Sequence, residues 1–259
     1  MLYVTDFRRP LTAPWRVTEI GAGVVEFTPG AAHLRLPAGL TEGYHDAQIS
    51  DYAGRADFRW RPPARMTVRA HFRGDALRGT AGFGFWNHPF VPGERGFRLP
   101  QTAWFFFGAP PGDIALAQGV PGAGWKAATL DATRSAFLLL APTAPLGFLL
   151  MRVPMLYRCL WPLAQRAVGV SECLLDPALM HTTHEYRLDW ERDHITFYVD
   201  GAPIHRTPSA PRGPLGFIAW IDNQYAIVTP QGRFGFGVSR VEQEQVLMLE
   251  NVRVEGLLD

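Results

Sequence analysis

Four short stretches of the chain carry the side chains best suited to chemistry. YHDAQ sets Tyr44, His45, Asp46 and Gln48 close together. FWNH supplies Trp86, Asn87 and His88, AWFFF supplies Trp104 and Phe106, and IAWIDNQY supplies Trp220, Asp222, Asn223 and Tyr225. Within this set Asp46, His88 and Asp222 are the groups that can exchange a proton, so acid/base catalysis is expected to rest on them. Tyr44, Trp86, Asn87, Trp104, Phe106, Trp220, Asn223 and Tyr225 are the candidate ligand-binding residues, because aromatic walls with a few convergent polar groups characterise small-molecule sites. Each has a structural reading as well. Trp86 and Trp104 suit a core, Asn87-His88 and Asp222-Asn223 suit turns, and Asp46 suits a hydrogen bond to a loop backbone.

Other chemistries find little support. His181 and His184 form the one close histidine pair, and three residues apart on a strand they point to opposite faces, so no metal site is expected. There is no glycine-rich phosphate loop, no Gly-x-Ser-x-Gly turn and no setting for a nucleophilic cysteine, and no cofactor is expected. Cys159 and Cys173 read as free thiols. A net charge of +1 over 259 residues gives no reason to expect nucleic acid. The opening MLYVTDFRRPL lacks the apolar run of a signal peptide, so a cytoplasmic location is expected.

The elements that must position these groups are mostly strands. Gly 26 and Pro 22 suit many strands joined by turns. Residues 24–27, 33–36, 66–72, 82–86 and 104–107 are short, apolar or aromatic, and bounded by glycine or proline. The clearest hairpin is EYRLDWERDHITFYVDG, residues 185–201. Tyr186, Leu188 and Trp190 alternate with charged residues, a polar turn follows at Arg192-Asp193, and Ile195, Phe197 and Val199 alternate on the way back. GPLGFIAWID and VLMLENVRVEG read as later strands. No linker divides the chain, so one all-β domain over 1–259 is expected: a two-sheet antiparallel jelly-roll sandwich with a short helical insertion.

At this hairpin the sequence resembles the concanavalin A-like lectin/glucanase superfamily, nearest to family 16 glycoside hydrolases. His184, Tyr186 and Trp190, followed by Ile195, Tyr198, Val199, Asp200 and Gly201, match the family's hairpin in order. Residues 46–72 and 246–256 are similar to its early strand pair and its closing strand. The resemblance implies a ligand groove on one sheet, and a strand bearing Glu-x-Asp-x-Glu or Glu-x-Asp-x-x-Glu. Acids two apart on one strand face stand about 6.5–7 Å apart, close to the carboxyl separation of about 5–5.5 Å that a retaining glycosidase uses. The strand expected to match, within residues 99–114, carries Trp104, Phe105, Phe106 and Phe107, and its first acid is Asp113. Asp189, Glu191 and Asp193 alternate with apolar residues and read as a solvent face. Glu242 and Glu244 read as a solvated loop.

The break in the β pattern is SAFLLLAPTAPLGFLLMRVPMLYRCLWPLAQRAVGV, residues 135–170, which has no acid. Its prolines and length argue against a membrane span. The expectation is a strand over 136–140, then a helical insertion at 142–168 capped by Thr143 and kinked by Pro154 and Pro162. Its apolar stripe would add to the core, roof the groove, or touch a membrane surface. Aromatics in place of carboxylates, with an added apolar segment, lead to the functional expectation. The groove would bind a hydrophobic or amphiphilic small molecule, with acid/base chemistry as an added capacity. The alternatives are a carbohydrate-binding module, a divergent family 16-like glycoside hydrolase, and a domain that contacts a membrane or another protein.

Overall fold

The computed structural model describes residues 1–74, 76–89 and 95–257. Two antiparallel sheets pack face to face. The eight-stranded sheet runs β14 (Ala202–Thr207), β13 (Ile195–Val199), β12 (His184–Trp190), β6 (Ala64–Arg73), β18 (Gln245–Gly256), β4 (Ala31–Leu36) and β3 (Val24–Thr28), and β1 (Leu2–Thr5) also pairs with β18. The seven-stranded sheet runs β11 (Ser171–Leu174), β10 (Gly124–Asp131), β8 (Gln101–Gly108), β7 (Thr80–Trp86), β15 (Gly216–Asp222), β5 (Asp46–Ser50) and β2 (Arg16–Ile20). A small third sheet joins β17 (Phe234–Val238), β16 (Gln224–Val228) and β9 (Asp113–Ile114). This is the expected jelly-roll sandwich.

Period-two alternation explains the interior. Tyr186, Leu188 and Trp190 of β12 and Ile195, Phe197 and Val199 of β13 point inward and are buried. They meet Ala103 and Phe105 of β8, Phe83 and Phe85 of β7, and Phe217, Ala219 and Ile221 of β15. Phe105 lies 5.0 Å from the Tyr186 ring and 5.3 Å from Phe197, in edge contacts that bind the two sheets. Asp189 faces away from the core and is held by Arg65 at 2.6 and 3.0 Å.

The insertion departs from expectation in two ways. Residues 136–140 are not a strand: α1 (Ser135–Leu140) is a helix, followed by a short 3-10 turn, α2 (Ala144–Leu150) and α3 (Pro154–Ala167). β10 already has β8 and β11 as neighbours, so the segment leaving β10 has no side of that strand to pair with. Thr143 stands at the N-cap of α2, but its hydroxyl bonds back to the Leu140 carbonyl rather than forward. Nor does the segment add to the core, since Leu138, Leu139, Leu146, Leu149, Met155 and Leu163 are exposed. No helix among the described residues is long and apolar enough to cross a membrane.

What holds α3 includes polar contacts to the loop before β10. Pro162 has no N–H for the carbonyl of Arg158 four residues earlier. Gln118 takes that place, donating from Nε2 to the Arg158 carbonyl, while Gln165 Oε1 accepts from the Gln118 backbone. The Trp161 indole donates to the Leu116 carbonyl at 2.8 Å. The chain thus leaves and rejoins the seven-stranded sheet between β10 and β11, with α3 fastened to residues 116–118.

Phe105 tests the sandwich most directly. Phe105→Ala is expected to lower unfolding free energy by about 3–5 kcal/mol, the usual cost of emptying a packed aromatic site. Denaturant titration would read this as a lower midpoint at unchanged slope.

Candidate functional site

The outer face of the seven-stranded sheet is built on two missing side chains. On β7 the outward positions include Gly82 and Gly84. Gly82 lies opposite Phe106 on one side and Trp220 on the other, and Gly84 lies opposite Trp104 and Ile218. A Cβ on Gly84 would stand 2.4 Å from the Trp104 Cβ, and one on Gly82 would stand 2.2 Å from the Phe105 carbonyl oxygen. Large rings on β8 and β15 can therefore close over the bare strand between them. Trp104 lies 5.2 Å from Trp220, 5.4 Å from Phe106 and 5.9 Å from Trp86. Tyr52, Phe58 and Ile218 complete this second apolar cluster, separate from the core. Trp86 and Trp104 thus belong to the outer face, where both are partly exposed.

At one end of this floor stand two carboxyls. Asp46 opens β5, Asp222 closes β15, and the register sets them directly opposite each other. Such neighbours bring their Cβ atoms to about 4.5–5.5 Å. Thr80 binds this end together: its hydroxyl donates to Asp222 Oδ1 at 2.8 Å and accepts from the Trp220 indole at 3.0 Å. The backbone N–H groups of Thr80 and Gln224 also donate to Asp222 Oδ1. Tyr44 is exposed as a residue, yet its hydroxyl donates to Asp222. Asp46 Oδ1 is buried and has no protein hydrogen-bond partner.

Burial governs the protonation of the pair. It pushes Asp46 up to about 8, with the Asp222 charge adding to the rise. It pushes Asp222 up to about 7 against the hydrogen bonds from Thr80, Gln224 and Tyr44, which favour the ionised form. The Tyr44 hydroxyl is raised by burial and then by both acids, so it remains a donor at neutral pH. With both carboxyls raised, the pair keeps a proton toward neutrality.

The remaining candidates divide. His88 stacks on Trp86 at 4.5 Å and meets the Tyr52 hydroxyl, at the far end of the sheet. Trp86 pairs with Gly216 and Thr80 with Asp222, so about 20 Å of strand separates His88 from the acids. The structure therefore joins Asp46 and Asp222 and leaves His88 apart. Asn223 is a fastener: Oδ1 accepts from the His45 backbone, and Nδ2 donates to the Gly43 and Ser239 carbonyls. Asn87 is another, spending its amide on Leu99 and Gln101 beside a surface hollow of about 290 Å³. Tyr225 lies on β16, with its hydroxyl against Gly237.

Tyr52 and Thr80 were not among the expected site residues. Both look like ordinary strand or loop residues, and only cross-strand register brings them to the site. The same holds for the strap that follows β9. Ile114 packs on the aromatic cluster, its carbonyl accepts from Lys126 Nζ at 3.1 Å, and Ala117 N–H donates to Glu172 Oε2. Lys126 and Glu172 form a buried ion pair at 3.6 Å beneath it. Among the described residues no cluster of three or more His, Cys, Asp or Glu side chains is placed to hold a metal ion.

The raised acids have a measurable consequence. The ordinary aspartate value is 3.8, and both acids are raised in the folded protein. The folded state thus keeps a proton that the unfolded state releases, and stability falls as pH rises from about 4 toward 8. Asp51, pushed up to about 6 by burial, adds a slope of the same sign. Asp46→Asn is expected to flatten the decline of the denaturation midpoint between pH 5 and 8.5 without abolishing it.

Comparison with known proteins agrees with this architecture. Residues 171–217, from β11 into β15, match the model for glycosyl hydrolases family 16. No curated protein sequence matches the chain. A structure of endo-acting O-glycanases, expressed by prominent members of the human gut microbiota to initiate mucin breakdown, superposes with TM-score 0.55 at 14% identity, covering 99% of each chain. The apo Crh5 transglycosylase gives TM-score 0.54 at 12% identity, over 99% of this chain and 85% of that one. A prokaryotic β-1,3-1,4-glucanase from a mouse hindgut metagenome gives 0.50 at 11%, over 99% of each. The chain resembles family 16 glycosyl hydrolases over residues 171–217 and shares the two-sheet jelly-roll fold of these structures.

Proposed function

We propose that the protein binds a β-linked oligosaccharide across the outer face of its seven-stranded sheet, as a divergent family 16-like glycan protein. The observation that carries this is the aromatic floor: Trp86 and Trp104, partly exposed, lie over the glycines of β7 with Trp220 and Phe106 beside them. The apolar face of a pyranose ring stacks on such rings while its hydroxyls stay in water or reach edge groups such as Gln48 and Tyr44. A buried apolar ligand is less well served. The void beside Trp104, Phe106 and Ile114 is about 50 Å³, whereas small-molecule pockets run to about 300–1,000 Å³. Neighbours in fold support a sugar. The Crh5 transglycosylase is known in complex with NAG, and the VIP36 lumenal domain in its Ca2+/Man3GlcNAc-bound form.

β7 and β8 carry no acid, so cleavage would have to draw on the Asp46–Asp222 pair. One feature favours that second reading: Asp46 and Asp222 face each other, burial raises both, and the buried Asp46 Oδ1 has no hydrogen-bond partner among the described residues. A retaining glycosidase needs one protonated and one ionised carboxyl. Both readings place the sugar against Trp104 and Trp220.

Calorimetric titration with β-glucan and β-galactan oligosaccharides tests the binding. Wild type is expected to bind, and Trp104→Ala to weaken binding by up to about tenfold, the order expected on losing one aromatic contact. Equal affinity in wild type and variant would remove the floor as the site. Reducing-end release from the same oligosaccharides tests cleavage: turnover abolished by Asp46→Asn would establish it, and binding without turnover would confine the protein to recognition.

A further inference from the structure

Several of the most exposed apolar side chains lie on β17 and on the insertion between β10 and β11. On β17, Phe234 and Phe236 are 62% and 83% exposed, and they share a strand face. On the insertion, Leu146 and Leu149 of α2 and Met155 and Leu163 of α3 are at least 58% exposed. α2 and the hairpin are continuous, because Phe148 of α2 packs edge-on against Phe234 at 5.3 Å and sits over Gly232 in the β16–β17 turn. Arg152 ties the same junction by donating to the Gln231 carbonyl. In α3, Met155 and Leu163 lie eight residues apart on one helix face, with Trp161 and Gln165 on the side that faces the strap.

Charge selects the occupant. From residue 132 to 171 the chain has four arginines and no acid, while the whole molecule carries a net charge of +1. Arg152, Arg158 and Arg166 are exposed around the apolar residues, and Arg233 stands exposed at the hairpin turn, paired to Asp113 at 3.2 Å. We propose that this face, formed by α2, α3 and the β16–β17 hairpin, docks on an anionic lipid surface. Phenylalanine and leucine side chains would enter the headgroup boundary while the arginines meet lipid phosphates, the two signals that together hold a peripheral protein. A second copy of the chain fits poorly, since a two-fold contact would set the insertion's arginines against one another, and residues 132–171 carry no acid to pair with them. No helix among the described residues is long and apolar enough to cross a membrane. This contact does not depend on the outer sheet face binding a saccharide.

Cosedimentation of the full chain with vesicles tests it. Binding is expected to vesicles of phosphatidylcholine with about one-third phosphatidylglycerol, well above binding to phosphatidylcholine alone, and to weaken as salt screens the headgroups. Phe234→Ser with Phe236→Ser is expected to cut partitioning at least about tenfold, since two large apolar side chains no longer leave water. Arg158→Glu with Arg166→Glu is expected to erase the preference for phosphatidylglycerol. Both doubles alter exposed side chains, and unchanged far-ultraviolet circular dichroism would confirm their folding. No binding to either vesicle, or binding untouched by both doubles, would overturn the proposal. So would concentration-dependent dimerisation of wild type in analytical ultracentrifugation that the phenylalanine double abolishes, because a second copy would then cover the face.

Discussion

The absence of side chains at Gly82 and Gly84 is the constraint on which the outer face depends. β7 sits between β8 and β15, and both neighbours present large rings at the positions opposite these glycines. A methyl group at either position would collide with neighbouring backbone or with Trp104. The bare strand lets Trp104, Phe106 and Trp220 meet across it. The same strand supplies Phe83 and Phe85 to the core on its other side. One strand therefore anchors the sandwich through its inward residues and shapes the floor through its outward gaps.

The rest of the site is hung from that floor. Thr80, two residues before Gly82, connects the Trp220 indole to Asp222 through a single hydroxyl. Asp222 in turn faces Asp46, and Asn223 pins the loop that carries His45 and Tyr44. At the other side, Lys126 and Glu172 hold the strap that brings Ile114 onto the rings. A buried ion pair contributes little net stability compared with apolar packing, but it fixes geometry. The insertion then rests on the strap through Gln118, whose amide takes the carbonyl that Pro162 leaves without a helical donor.

How much of this was legible in the sequence varies by element. The 185–201 hairpin could be read residue by residue, because one face is buried and the other solvated, and the alternation of Tyr186, Leu188 and Trp190 with charges is then unambiguous. β7 and β8 carry apolar residues on both faces, so WFFF and GFGFW read as continuous apolar runs, and nothing in them says which rings face the core. Asp46 and Asp222 were both identifiable as candidates, yet their pairing lies in the β5–β15 register across 176 residues of chain. His88 was equally plausible by residue type, and strand length alone removes it to the far end. The 136–140 run failed as a strand because five apolar residues fit either period, and the deciding fact was that β10 had no edge to offer. The insertion's stripe failed as core for a related reason. Apolar periodicity shows that a face needs a partner without showing that the partner belongs to the same molecule.

The central claim is that the rings over β7 are the floor of a saccharide site. Indole N–H resonances separate this floor from the core, since Trp86, Trp104 and Trp220 line it while Trp60, Trp125 and Trp190 are buried in the sandwich. Titration of the labelled protein with β-linked oligosaccharides should shift the indole signals of Trp104 and Trp86, with Trp220 following through Thr80, and leave the three core signals in place. Saturating sugar that moves none of the floor signals would contradict the account.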